Sequence, residues 1–436
     1  MAAIDEALAD LGLADNGVVV HGEPAGLASP LAVADCAIAA VSACLAAAAD
    51  LAHARTGRRP AVELDAAHVT AAVRSEAWLR DPDGNAVEGF APLSRIWPAA
   101  DGFVRTHANY PWHRAALLTA LGVADERDVG PAIAARPARE VESIVYGAGG
   151  LAVAARTLDE WTPVDTPLVR VSTVDSPAAD LPDMRGGPAS GVRVLDLTRV
   201  IAGPVGTRML AALGADVLRI DSPNLPELPW QDVEGVIGKR SSTVDAGTPD
   251  GAAVLHALLD QADVLVTGYR PGSLRRLGLD PDQVARRHPG TIVVSHSAWG
   301  PTPGWEGRRG FDSLVQIATG IGWAVSPDGQ RPGVLPCQLL DHATGYLAAA
   351  GALTALARRV RTGVTSHVTL SLARTARWLL AQPGPSRSTG DQDGEAYRVE
   401  FGNGWSGIAP PGRVDGRNLT WPHLPPAYGA ASPTWE

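Results

Sequence analysis

The sequence predicts a doubly wound, mostly parallel α/β sheet accompanied by a smaller α+β domain. Three observations carry that expectation. From Gly191 short apolar runs alternate with helical stretches, as β–α–β units require. A segment of different pattern, from about Gly89, holds a hairpin turn at Asp101-Gly102 and a helix starting near Trp112. Between the two, Pro163 to Pro188 is rich in Pro, Asp and Ser, as a linker is.

The sheet-forming elements follow in order. Val192 to Leu197 reads as a buried strand, Gly203 to Leu213 as the helix after it, and Asp216 to Ile220 as the second strand. A helix from Asp250 to Gln261 leads into the strand Asp263 to Tyr269, and a helix from Asp280 to Arg287 leads into Thr291 to Ser297. Right-handed crossovers make these strands parallel, and such sheets bind ligands beyond the carboxyl ends of their strands. Chemistry is therefore expected after Leu197, Ile220, Val266 and Ser297. Residues 1–88 read as a helical segment, 89–171 as the small α+β domain, 172–190 as linker, 191–380 as the α/β domain and 381–436 as an irregular tail.

An internal repeat cuts across this division. Asp35 and Asp341 each open an Ala-rich helix, and the helices end at Arg55-Thr56-Gly57 and Arg361-Thr362-Gly363, all offset by 306 residues. The glycines suit the left-handed position that closes a helix. The same offset pairs Val62 with Val368 and Leu64 with Leu370 in the strand that follows. The Asp35 copy has only 34 residues before it, so it reads as a structural repeat without its own α/β domain.

Composition bounds the function. With 45% hydrophobic and 19% charged residues, the 436-residue chain can bury several cores and is not disordered. The net charge of −10 is spread without a basic block, which argues against nucleic acid as a partner. Cys36, Cys44 and Cys337 are too few and too scattered for a disulfide framework or a metal site, so they read as buried small hydrophobes in a reducing compartment. The start, MAAIDEALADLGL, is acidic where a secretory signal is basic, and Ala37 to Ala49 is shorter than the roughly 20 residues a bilayer needs. A cytoplasmic, non-membrane protein is expected. Ala202-Gly203-Pro204 stands where a dinucleotide fold carries Gly-x-Gly-x-x-Gly, which disfavours a nicotinamide or flavin cofactor.

Five segments then occur in order: VLDLTRVIAGPVGTRMLAALGADVLRIDSP from Val194, GKRSSTVD from Gly238, DVLVTGYRPGSLRRLGLD from Asp263, GFDSLVQIATG from Gly310 and LLDHATGYLAAAGALTALARRVRTG from Leu339. Together they resemble the class III CoA-transferases, a family that includes formyl-CoA and carnitine-CoA transferases and α-methylacyl-CoA racemase. The resemblance runs from Gly191 to about Leu380 and implies a Rossmann-like CoA domain, acyl-CoA and a carboxylic acid as substrates, no tightly bound cofactor or metal, and an interlocked homodimer. It implies Asp341 as the nucleophile, forming an aspartyl anhydride and then an aspartyl-CoA thioester. The dipole at the start of the helix is expected to keep that carboxylate ionised. For CoA the resemblance points to Arg199, Val200, Ile201 and Ala202, to Lys239 and Arg240, and to Tyr269, Arg270 and Arg276. Asp312 either bonds near the thioester or caps the helix after it. Racemases carry His immediately before this Asp, and Phe311 stands there, which leaves a two-base racemase short of an imidazole. A racemase and a catalytically silent CoA-binding subunit are the alternatives to a transferase. The order of segments departs from the family's, since a small-domain-like stretch precedes the α/β domain, and the Gly-rich closing loop is not found.

Overall fold

The computed structural model describes residues 3–14, 17–177, 180–386, 388, 390 and 393–435. The chain opens with α1 (Ala3–Leu11), β1 (Val18–His21), α2 (Val33–Thr56), β2 (Val62–Asp65), α3 (Ala66–Ala72) and α4 (Ser75–Trp78). The small unit follows as β3 (Ile96–Ala99), β4 (Gly102–Thr106), α5 (Pro111–Leu121), α6 (Val129–Ala134), α7 (Ala138–Gly147) and β5 (Ala152–Ala154). Its three strands form an antiparallel sheet with β4 in the centre. Val104, Leu117, Val129, Ile133 and Val141 form a core of their own beneath it.

The large sheet has seven strands in the order β6, β12, β11, β10, β7, β8, β9. They are β6 (Arg170–Pro177), β7 (Arg193–Asp196), β8 (Asp216–Asp221), β9 (Arg240–Thr243), β10 (Val264–Thr267), β11 (Ile292–Ser297) and β12 (Val364–Ser371). The helices between them are α8 (Ala202–Ala212), α9 (Pro229–Glu234), α10 (Pro249–Leu259), α11 (Pro281–Arg287), α12 (Asp312–Ala318), α13 (Ile321–Ala324) and α14 (Leu339–Thr362), and α15 (Leu372–Leu380) follows β12. Proline at the first turn of α9, α10 and α11 starts each helix where no backbone donor is needed. All neighbours in the sheet are parallel except β6, which pairs antiparallel with β12 at the edge. The α/β expectation therefore stands. The surprise is β6: the stretch whose composition reads as linker forms an edge strand, the one place in a sheet where Pro177 and an alternating polar pattern are tolerated.

The repeat is realised almost residue for residue. Helices α2 and α14 have the same length, and both close on a left-handed glycine, Gly57 at φ 74° and Gly363 at φ 68°. Strand β1 pairs parallel with β2 as β11 does with β12. Asp65 caps α3 and Ser371 caps α15, each accepting from the third following N–H. The two long helices pack against one another, and their alanine surfaces let the axes approach while Leu45, Leu51, Leu347 and Leu353 fill the shared core. Each buried leucine contributes roughly 1.5–3 kcal/mol. Helix α2 is in fact long and apolar enough to span a bilayer, longer than the alanine run alone suggested, and 83% of its most apolar window is buried within the fold.

The tail adds β13 (Arg398–Glu400) and β14 (Ser406–Ile408) as a hairpin, then β15 (Arg413–Val414) and β16 (Arg417–Asn418). Strand β15 extends the β1–β2 sheet. Trp421 donates to the carbonyl of Arg208 at 3.1 Å and Trp435 to that of Leu258 at 3.0 Å, so the tail clasps the large sheet as well.

Candidate active site

The turn between β7 and α8 is locked from below. Asp196, fully buried at the end of β7, accepts from the Thr198 N–H at 2.8 Å, the Thr207 hydroxyl at 2.6 Å and Lys239 Nζ at 2.9 Å. Burial lowers the Lys239 ammonium to about 8 against the pull of Asp196. The turn then passes through Val200 at φ 69°, a left-handed conformation that costs a β-branched residue on the order of 1–3 kcal/mol. The Val200 N–H is held by Glu227 at 3.2 Å.

Helix α14 crosses α8 at van der Waals limits. A Cβ on Gly345 would stand 2.4 Å from the Ala202 carbonyl oxygen, and one on Gly206 would stand 2.6 Å from that of Gly345. Only glycine permits this approach, which sets the first turn of α14 beside the Val200 turn. Asp341 lies in that turn, 6% exposed.

Asp312 completes the arrangement. It does not cap its own helix, whose N-cap is Phe311; its carboxylate accepts from the N–H of Asp341 at 3.0 Å, while Gln316 donates to its other oxygen. Gln316 in turn accepts from Leu335 N–H at 2.9 Å. Asp312 thus caps α14 from another helix, supplying the acceptor that the N-cap residue Gln338 does not.

The cavity above Asp341 has a volume of about 380 Å³. Besides Asp341 and Asp312 it is lined by Val200, Ile201, Trp230, Gln231 and Phe311 from the large unit, by Phe90, Arg105, His107 and Asn109 from the small one, and by Arg74 and Glu76 from the segment after the first repeat. Burial first, then Asp312 and Glu76, push the Asp341 carboxyl well above the usual range. The helix dipole, expected to keep Asp341 ionised, is opposed here by desolvation and by two neighbouring carboxylates, which raise the carboxyl. Burial likewise raises Asp312 to about 6 against its hydrogen bonds. Burial also opposes ionisation of Glu76, but His342, at 2.9 Å, outweighs it and leaves that carboxyl lowered.

The sequence missed Arg105 and His107. His107 stacks on Phe311 with ring centroids 4.0 Å apart and planes 12° apart, and its buried Nδ1 has no hydrogen-bond partner. Burial, then Arg105 and His113, hold the imidazole neutral, well below its ordinary pKa. The cavity therefore contains an imidazole, that of His107, although position 311 is Phe. The signal was available: in Phe103-Val104-Arg105-Thr106-His107 every second residue shares a face, and Phe103 meets Trp323 at 5.9 Å.

Of the residues assigned to CoA, Val200 and Ile201 line the cavity and the others do not. Arg199 lies over the Tyr110 ring at 5.1 Å and pairs with Glu227 at 3.3 Å; Ala202 is buried at the start of α8. Lys239 and Arg240 are corrected. Lys239 is in the core, its charge spent on Asp196, because a buried ammonium must find a carboxylate. Arg240 begins β9 and pairs with Asp216 at the amino end of β8, so it faces the edge of the sheet away from the strands' carboxyl ends. Tyr269 and Arg270 are exposed just beyond β10, and Arg276 is exposed on a separate cavity of about 530 Å³ with His256 and Arg287. Cys337 lines the Asp341 cavity, where burial and the carboxylates of Glu76 and Asp312 raise its thiol well above the ordinary value and disfavour the nucleophilic thiolate. Among the described residues no cluster of three or more His, Cys, Asp or Glu could hold a metal ion.

Comparison with known proteins adds a family to this geometry. Residues 189–410 match the sequence model of CoA-transferase family III. Over 207 residues the chain is 32% identical to a probable fatty acyl-CoA transferase of Mycobacterium tuberculosis, covering 44% of this chain and 52% of that protein. Over 198 residues it is 35% identical to the formyl-CoA:oxalate CoA-transferase of Rhodopseudomonas palustris strain BisB18, covering 42% and 46%. A crystal structure of a CAIB/BAIF family protein from Brucella suis, 26% identical, superposes with a TM-score of 0.39 over 51% of this chain and 65% of that one. The chain spans about half the length of the curated relatives it matches.

Proposed function

This chain belongs to CoA-transferase family III, and from that premise we propose that it moves CoA between carboxylic acids with Asp341 as the nucleophile. The observation that carries the reading is a buried carboxyl at the first turn of a long helix, on the floor of a cavity that three parts of the chain enclose. The Asp341 carboxylate attacks the thioester carbonyl; its C–O bond forms as the C–S bond breaks and CoA leaves as thiolate. The thiolate then attacks the aspartyl carbonyl and releases the donor acid, leaving an aspartyl-CoA thioester. An acceptor carboxylate reverses the two steps and departs as the new CoA ester. Because burial and the neighbouring carboxylates raise the Asp341 carboxyl and only its ionised form attacks, the reaction should show an acidic limb that D312N moves to lower pH by removing a like charge.

Hydroxylamine or borohydride trapping during turnover, read by mass spectrometry, should mark Asp341. An active enzyme in which Asp341 stays unmodified would overturn the mechanism. CoA binding that survives D341N, with no exchange for any acid, would instead identify a silent CoA-binding subunit. A second reading, transfer of the proton α to a thioester carbonyl, is favoured by the neutral imidazole of His107, which lines the same cavity as Asp312 and Asp341. Deuterium entering the α-carbon without acyl exchange would select it. Homodimerisation and a cytoplasmic site of action belong to the same proposal, and light scattering tests the first.

A further inference from the structure

Arg105 sits in β4 of the small unit with 6% of its surface exposed, and it lines the same cavity as Asp341. Among the described residues its guanidinium donates no hydrogen bond and forms no ion pair, and its buried Nε is without a partner. The Phe90 ring lies 4.7 Å from its Cζ, which supports the cation face-on and leaves the planar donor edge uncommitted. Other buried cations of the chain behave differently. Arg156 is bonded to Glu142 at 2.8 Å, Arg208 to Glu234 at 2.9 Å, Arg219 to Asp221 at 2.7 Å and Lys239 to Asp196 at 2.9 Å.

A buried guanidinium normally has a carboxylate, because an unpaired charge away from water is expensive. Asp312 acts on Arg105 through space, but its own oxygens are occupied by Gln316 and the start of α14. An anion supplied from outside the chain is the missing member. The carboxyl group that reacts cannot be that anion throughout, since it loses its charge when it becomes a thioester or an anhydride. A second carboxylate on the same acid keeps its charge in every state, and a guanidinium fork matches it with two parallel hydrogen bonds.

We propose that Arg105 is the seat of a non-reacting carboxylate, and hence that the acids handled in this cavity are dicarboxylates. The inference rests on the CoA-transfer reading for which carboxyl group reacts, and on the cavity alone for the anion seat. The side chains that would discriminate against a monocarboxylate are then Arg105 and the Phe90 ring that holds it.

Calorimetric titration of the purified chain with free dicarboxylates from oxalate to adipate, each beside the monocarboxylate of equal length, tests the seat without needing turnover. At least one dicarboxylate should bind about 100-fold more tightly than its monocarboxylate partner. In R105Q that preference should fall to a few-fold, and R105K should keep part of it because the charge survives without the fork. Circular dichroism and thermal unfolding establish that both variants are folded. Equal binding of the two series by the wild-type chain, no dicarboxylate binding at all, or a preference that survives R105Q would each overturn the proposal. Trapping at Asp341 reads out separately, so an unlabelled Asp341 with an intact dicarboxylate preference would retire the transfer mechanism and leave the seat standing.

Discussion

Two stretches of this chain begin with the same design and end in different surroundings. Helices α2 and α14 share length, terminal glycine, following strand and following capped helix, at a constant offset of 306 residues. They differ in what precedes them. Strand β11 is separated from α14 by a segment that includes α12 and α13, and α12 lends Asp312 to the start of α14. Strand β1 is joined to α2 by a short loop with no helix, and the tail covers the opening instead: the Ser386 hydroxyl accepts from Ala34 N–H at 3.2 Å and Ser388 from Leu27 N–H at 2.8 Å. One helix start is roofed by a cavity and the other by the chain's own backbone. The segment that meets each duplicated aspartate thus decides whether its helix start faces a cavity.

The largest effect that could break this comparison is catalytic. D341N should lower CoA transfer by on the order of 10⁴-fold or more, whereas D35N should stay within a few-fold of the parent, measured as thioester exchange at saturating substrate. Comparable losses in both would mean that the first copy is not silent.

The caps should differ in their pH response. Asp312 stands at about 6 in the fold against an ordinary 3.8, so the folded chain binds its proton more tightly than the unfolded one. Its contribution to stability is then complete below about pH 4 and is lost as the pH rises to about 6, a change on the order of 2–3 kcal/mol. The difference in unfolding free energy between the parent and D312N should therefore shrink across that interval in urea titrations. A hydroxyl has no proton to exchange there, so the cost of S386A should be flat with pH. A D312N difference that grows from pH 4 to 6 would contradict the assigned direction.

Packing offers a sharper test. The position on α2 that matches Gly345 is Ala39, so a methyl is tolerated in one copy and forbidden in the other by the Ala202 carbonyl. G345A should cost roughly 1–3 kcal/mol of stability and also reduce transfer, because the start of α14 must shift. A39G should cost about 1 kcal/mol through helix propensity and leave transfer near its parent rate.

The smallest effect belongs to the ion pair between the two helices. Arg361 reaches Asp50 through two bonds of 2.8 and 2.9 Å, with the arginine side chain 43% exposed. Solvent and salt screen such a pair, so R361A should cost at most about 1 kcal/mol, less in 1 M salt.

The sequence alone determined β7, β8, β10 and β11 with α8, α10 and α11 between them, and the repeat with its closing glycines, because hydrophobic period and helix caps are local signals; it left out β9 and α9 and took the tail that carries β13 to β16 as irregular. It also singled out Asp341, through motifs that stand in order along the chain. What it could not determine was which charges meet: Lys239 with Asp196, Asp312 with the first turn of α14, and Arg105 and His107 with a cavity whose floor lies more than 200 residues further on. Those pairings follow from the close crossing of α8 with α14 and from the small unit lying over it, and a side chain's protonation and reactivity depend on burial and neighbours that only the folded chain supplies.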